Sequence, residues 1–65
     1  MIHLIVLDTV EFGKVTFVIE NISVILYSYS SGTEVYTTDG THTRVSESVE
    51  EITKRINQIV YGTEK

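Results

Sequence analysis

The sequence has 65 residues, a formal net charge of -4 and no cysteine. This length allows a single domain, residues 1–65, and the lack of cysteine excludes disulfides and thiolate metal sites. The acidic balance argues against nucleic acid as a partner, because such binding draws on many Lys and Arg contacts to phosphate.

The start of the chain does not have the pattern of an exported or membrane protein. Apart from His3, residues 1–7 are apolar, but they lack the basic start and the long apolar stretch of a signal peptide. No apolar run approaches the roughly 20 residues that cross a bilayer. We therefore expect a cytoplasmic protein with no membrane partner.

Five segments have strand character: residues 2–7, 15–19, 22–29, 33–38 and 41–45. Most are rich in β-branched or aromatic side chains, and breaks that contain Gly, Ser, Asp or Asn separate them. Five of the six residues in the first segment are aliphatic, and no polar alternation separates them. This pattern predicts a strand that is buried on both faces or at an interface.

The third segment and the turn after the fourth give more detailed predictions. Alternation places Ile22, Val24 and Leu26 on one face of the third strand. The pair Asp39-Gly40, between two strand-forming segments, predicts a type I′ hairpin turn.

The C-terminal part changes to a helical period and predicts an amphipathic helix from Ser48 to about Tyr61. Ser48 followed by Glu51 has the spacing of a capping box, and Gly62 stands where glycine commonly ends a helix. One helical stripe is apolar: Val49, Ile52, Ile56, Ile59 and Val60. We therefore predict an α+β fold, a small antiparallel sheet of four to five strands followed by one C-terminal amphipathic helix packed on one face.

Residues suited to catalysis or metal binding are sparse. His3 and His42 are the only side chains that titrate naturally near neutral pH, and they lie in different predicted strands. Nucleophile-elbow, P-loop and dinucleotide motifs are absent. The cluster of Glu47, Glu50 and Glu51 fits a helix N-terminus better than a divalent cation site. We therefore predict that the protein is not an enzyme and has no cofactor or metal.

The candidate binding residues are Tyr27, Tyr29, Tyr36 and Arg44. Around the turn at residues 30–32, Tyr27 or Tyr29 is predicted to lie near Tyr36 across the hairpin. Cross-strand aromatic packing is the favoured interpretation of this group. Tyrosine is also frequent at protein interfaces, and it stacks on bases in nucleic-acid platforms, so both binding interpretations stay open.

The region 15–26 contains little that protects an exposed sheet edge. Natural edge strands usually carry charge, proline or a bulge. The core of so small a chain supplies only about 3–5 kcal/mol by itself. We therefore expect a homo-oligomer formed through strand edges, and the same surface suits a different protein partner.

Three stretches carry a resemblance to a known family: residues 20–25 (ENISVI), 37–41 (TTDGT) and 45–52 (VSESVEEI). From Val15 to Val60 the chain resembles the FlbD-like small flagellar and swarming-motility proteins. This resemblance implies a non-enzymatic accessory role in motility and supplies no catalytic residues. Residues 50–56 (EEITKRI) are also similar to the end of carbon-storage-regulator RNA-binding dimers, which implies that intertwined strand dimers are relevant.

The leading hypothesis is a small non-enzymatic protein-interaction or regulatory module, linked to motility or encoded by a phage. The alternative is a small-ligand or nucleic-acid binding protein, from a bacterium or a phage, that uses the four candidate binding residues. A hydrolytic enzyme that uses either histidine is a further alternative.

Overall fold

The computed structural model describes residues 1–62. Its elements are β1 (Leu4–Thr9), β2 (Gly13–Val18), a 3-10 helix (Ile19–Asn21), β3 (Ile22–Ser28), β4 (Gly32–Thr37), β5 (His42–Val45) and α1 (Val49–Tyr61). The strands form one antiparallel sheet in the order β2-β1-β5-β4-β3. The predicted α+β fold with one C-terminal helix is confirmed, and the sheet has five strands.

The sheet is strongly curled, because a short link joins its two edge strands. β2 ends at Val18 and β3 begins at Ile22, with only the 3-10 helix between them. Four Cα steps span at most about 14 Å, whereas the edges of a flat five-stranded sheet lie about 19 Å apart. The sheet therefore bends until the edges of β2 and β3 approach each other at this end.

The 3-10 helix also bonds to both halves of the sheet. Ile19 N–H donates to the carbonyl of His3, just before β1, at 2.8 Å. Thr38 N–H, just after β4, donates to the carbonyl of Asn21 at 2.8 Å. The link thus fastens the β1–β2 hairpin to the β3–β4–β5 meander at one end of the molecule.

The opposite end is closed by a short junction between β1 and β5. Their register contains one pair, Thr9 with Val45, and Val10 N–H donates to the Arg44 carbonyl beside it at 3.0 Å. The two strands therefore meet at this end, and their register does not extend along the rest of β1.

The residues between β5 and α1 extend this junction along β1. Ser46 N–H donates to the Asp8 carbonyl at 2.9 Å, and the Glu47 carboxylate accepts Asp8 N–H at 2.9 and 3.1 Å. Arg55 of α1 lies 3.9 Å from the same carboxylate. Glu47 therefore ties the start of the helix to β1, in agreement with a structural role for this acid.

The core fills the inside of the curl. Inward side chains of the first hairpin pair across the strands, Ile5 beside Phe17 and Leu7 beside Val15, and α1 adds Ile52. The buried hydrophobic residues are Ile5, Leu7, Phe17, Ile19, Val35, Val45 and Ile52.

Of the two alternatives predicted for residues 2–7, burial on both faces is wrong for the single chain, and burial at an interface stays a prediction. Ile5 and Leu7 face the core, whereas Leu4 and Val6 point outward and are 53% and 43% exposed. The core and the helix lie on the inner side of the curled sheet, so within one chain the outward side chains of β1 are not covered.

A β-bulge changes the faces of β3 from the predicted alternation. The register with β4 shifts between Ile22 and Val24, and Ile22 packs against the core together with Ile25. Val24 and Leu26 are exposed on the outer face. The predicted grouping of Ile22 with these two residues is wrong, because the extra residue of a bulge reverses the face of the side chains beyond it.

The hairpin at Asp39-Gly40 is longer than the predicted type I′ turn. Gly40 N–H donates to the Thr37 carbonyl, and Thr37 N–H donates to the Thr41 carbonyl, both at 3.0 Å. Thr38 and Asp39 are therefore the central residues of the turn, and Gly40 follows them with φ 94°. The Asp39 carboxylate accepts the Thr37 and Thr41 hydroxyls and Thr41 N–H, which stabilises this longer loop.

The predicted helix and both of its ends are confirmed. The Ser48 hydroxyl accepts Glu51 N–H at 3.1 Å, and Gly62 ends the helix in the left-handed region with φ 67°. Its apolar stripe is only partly covered: Ile52 is fully buried, Val49, Ile56 and Val60 are half-buried, and Ile59 is exposed.

Ser48→Ala is expected to lower the free energy of unfolding by about 1 kcal/mol, because Glu51 N–H loses its acceptor. Thr53→Ala, on the exposed surface of the same helix, is the control and should change it by less than about 0.5 kcal/mol. Urea denaturation measures both values. Equal stabilities of the two variants would show that the cap contributes nothing.

Candidate interaction surface

The predicted proximity of Tyr27 or Tyr29 to Tyr36 is wrong. Tyr27 pairs across the strands with Thr33, which faces the same side of β4 as the core residue Val35. Tyr36 lies three residues beyond Thr33, so strand alternation places it on the outer face. The hairpin therefore separates the tyrosines that the sequence grouped together.

Tyr36 and Arg44 belong to a polar cluster on the outer face of β4 and β5. The Tyr36 hydroxyl donates to the Glu34 carboxylate at 3.2 Å, and its ring stacks on His42 with centroids 5.1 Å apart. The Glu34 carboxylate raises the pKa of Tyr36, first by this hydrogen bond and then by its charge. Arg44, opposite Glu34 in register, approaches Glu11 at 4.0 Å. These contacts fit cross-strand packing on a sheet surface.

Tyr27 and Tyr29 form an aromatic pair at the β3–β4 turn. Their rings meet edge to face, with centroids 5.9 Å apart, and Tyr29 is 99% exposed. Tyr27 also lines an open groove of about 500 Å³ against the start of α1, where Ser48 and Glu50 form the opposite wall and Val45 contributes to the lining. Glu50 adds a negative charge to the wall of this groove.

The two histidines make structural contacts in different parts of the sheet. The His3 ring is hydrogen-bonded to the Glu20 carboxylate at 2.5 Å, and His3 N–H donates to its other oxygen at 2.9 Å. The hydrogen bond to the His3 ring has the largest effect on the pKa of Glu20, and the bond from His3 N–H has the next largest. Together they lower this pKa to about 2. The His3–Glu20 contact therefore helps to fasten the 3-10 helix to the start of β1. His42, in β5, stacks on the Tyr36 ring.

Many apolar side chains of the described residues are exposed and are not buried by contacts within the chain. Among residues 1–62, twelve large hydrophobic side chains are exposed and seven hydrophobic side chains are buried. The exposed ones are Met1, Ile2, Leu4, Val6, Val10, Phe12, Val24, Leu26, Tyr27, Tyr29, Ile59 and Tyr61. Sequence reasoning missed those on the outer face of β1, because an unbroken apolar run has no alternation from which exposure can be read.

β3 combines exposed apolar side chains with an open edge. It is the last strand in the sheet order, and among residues 1–62 it pairs only with β4. Its seven residues include no charge and no proline, so they lack two of the usual protections of an edge strand. β2, at the other edge, carries Lys14, and Thr16 lies across a groove of about 250 Å³ from Thr41 of the β4–β5 turn. β3 is therefore the less protected of the two edges.

Two negative findings apply to residues 1–62, the part of the chain that the structure describes. None of its helices has the length and apolar character needed to cross a membrane. No group of three or more His, Asp or Glu side chains is arranged to hold a metal ion.

Comparisons with family models, with curated proteins and with solved structures find no match to this chain. The interpretation of the surface therefore depends on its own geometry.

The stability of the fold is expected to fall in acid, because two carboxylates have lowered pKa values. The pKa of Glu20 falls from 4.5 to about 2. Hydrogen bonds from the Thr37 and Thr41 side chains, and then from Thr41 N–H, lower the pKa of Asp39 from 3.8 to about 2. Such groups stabilise the folded state above their unfolded pKa, and the contribution is lost as the pH falls through the folded pKa.

Glu20→Gln should therefore reduce the loss of stability between pH 4.5 and pH 2. Glu50→Gln, on the exposed start of α1, is the control and should lose nearly as much stability over this range as the unmodified protein. Urea midpoints across this range measure the effect. An acid profile of Glu20→Gln that matches the unmodified protein would contradict the role assigned to the His3–Glu20 contact.

Proposed function

We propose that the chain is a small non-enzymatic protein-interaction module that self-associates through the edge of its sheet. The main support for this proposal is that β3 is an uncharged edge strand with Val24 and Leu26 exposed on its outer face. An unpaired edge of this kind is a template for pairing with another chain. Backbone hydrogen bonds would supply the pairing, and the apolar side chains would supply burial.

The balance of buried and exposed side chains supports this proposal. Residues 1–62 have seven buried hydrophobic side chains against twelve large exposed ones, so a single chain leaves much of the apolar surface of this part exposed. Fully burying one Val or Leu side chain contributes about 1.5–3 kcal/mol, so an interface that covers a few of them is comparable to the stability of a small core. Association would therefore add a free energy of burial comparable to the stability of the core itself.

A small-ligand or nucleic-acid binding function has less support. The candidate residues for it lie on opposite faces of the sheet, with Tyr27 on the inner side and Tyr36 and Arg44 on the outer side. Arg44 approaches an acid, Glu11, and the net charge of -4 opposes binding to phosphate. Protein association requires none of these residues to act together.

The cellular setting of the proposal is the bacterial cytoplasm, in an accessory role in motility. The resemblance of residues 37–41 and 45–52 to FlbD-like proteins supports this role. These stretches form the β4–β5 turn and the end of β5 with the start of α1. Deletion of the gene in a flagellated host is expected to reduce swarming on soft agar, and a plasmid copy should restore it. Swarming at the normal rate after deletion would remove the motility part of the proposal.

Self-association is tested most simply by light scattering over a concentration series into the high micromolar range. The protein is expected to have at least twice the mass of one chain at the upper end of this range. Because the interface is apolar and each chain has a net charge of -4, added salt should preserve or strengthen association by screening repulsion. A monomer at all concentrations would contradict the proposal, and so would a complex that dissociates when salt is added.

A further inference from the structure

We propose that the partner strand is β3 of a second copy, paired antiparallel about a two-fold axis at Leu26. This inference rests on the proposed self-association and adds its interface and register. The two sheets would then continue into each other through the paired β3 strands, with Leu26 of each copy facing its symmetry mate on the outer surface.

The backbone geometry of β4 shows which groups of β3 are free. The N–H and carbonyl of Thr37 both bond toward β5. Backbone groups of successive residues point to opposite sides of a strand, so the N–H and carbonyl groups of Glu34 and Tyr36 point toward β3. Their partners in β3 are Leu26 and Val24, whose backbone groups are therefore used within the sheet.

The intervening residues of β3 point their backbone groups the other way. Ile25 and Tyr27 alternate with the residues bonded to β4, so their N–H and carbonyl groups face the open edge. Within residues 1–62, neither N–H has an acceptor among the hydrogen bonds outside the sheet. Two copies related by a two-fold axis can satisfy all of these groups by bonding Ile25 of one to Tyr27 of the other.

The limits of the regular strand select this register. The bulge between Ile22 and Val24 interrupts the strand at one end, and the turn after Ser28 ends it at the other. The regular stretch therefore runs from Val24 to Ser28, and Leu26 is its centre. Pairing about Leu26 uses the whole stretch, whereas any other two-fold register leaves part of it unpaired or runs into the bulge.

A second copy fits this edge because β3 is compatible with itself. It has no charged residue, so two copies approach here without a like-charge contact between the paired strands, although each chain is acidic overall. The cross-strand partner of Leu26 in β4 is Glu34, which is 9% exposed and accepts the Tyr36 hydroxyl. An uncharged strand with free backbone groups on both sides of its central residue is thus matched by its own two-fold image.

Disulfide trapping tests the register directly, because the natural chain has no cysteine. In the proposed pairing, Leu26 and its symmetry mate form a pair without backbone hydrogen bonds, with Cα atoms about 4.5 Å apart, which is within disulfide range. Leu26→Cys is therefore expected to form a covalent dimer rapidly under mild oxidation. Val6→Cys, on the exposed outer face of β1, is the matched control and should cross-link at least about tenfold more slowly.

Charge substitution gives an independent test on reduced protein. Leu26→Lys places two lysines opposite each other at the axis, where like charges destabilise a cross-strand pair, and should raise the dimer dissociation constant about tenfold or more. Val6→Lys makes the same change in net charge, from -4 to -3 per chain, and should leave association unchanged. Circular dichroism checks that both variants keep the native fold.

The outcomes separate this inference from the proposed function. Rapid cross-linking of Leu26→Cys, together with weakened association of a folded Leu26→Lys variant, supports the two-fold pairing. An oligomer that cross-links no faster at residue 26 than at residue 6, or that Leu26→Lys leaves intact, overturns this interface while self-association stands. A monomeric natural protein overturns both.

Discussion

A three-residue link between the two edge strands determines the shape of the whole sheet. Because the 3-10 helix Ile19–Asn21 joins β2 directly to β3, the five strands cannot lie flat, and the sheet curls around one side. The link is fastened by backbone bonds to both halves of the sheet and by the contact of Glu20 with His3. At the other end, the Thr9–Val45 pair and Glu47 hold β1 to β5 and α1.

The curl divides the apolar residues into two groups with different environments. Those on the inner side form one small core, into which α1 inserts Ile52. Within residues 1–62, no layer covers those on the outer side, which leaves Leu4, Val6, Val24 and Leu26 exposed. The same link places β3 at an edge of the sheet, so an open strand and exposed aliphatic side chains coincide there. Partner binding at β3 would therefore address both the unpaired backbone and the uncovered side chains.

The sequence was sufficient to predict the elements that local signals define. Ser48 with Glu51 and Gly62 identified both ends of the helix, since capping depends on nearby residues. Local signals did not predict the bulge at Ile22–Val24 or the exposure of Leu4 and Val6, because these follow from how the sheet is assembled. They also grouped Tyr36 with the other tyrosines, although the register between β3 and β4 places it on the opposite face. Sheet order and register depend on contacts between distant residues, which strand patterns alone do not encode.

The most direct test of this account is backbone amide hydrogen exchange, measured by NMR at low and high protein concentration. The amides of Leu26 and Val24 are expected to be protected at both concentrations, because they bond to β4. The amides of Ile25 and Tyr27 should exchange fast in dilute solution and become protected as the protein associates. Fast exchange of these two amides at concentrations where the protein is oligomeric would contradict the claim that the open edge of β3 is its interaction surface.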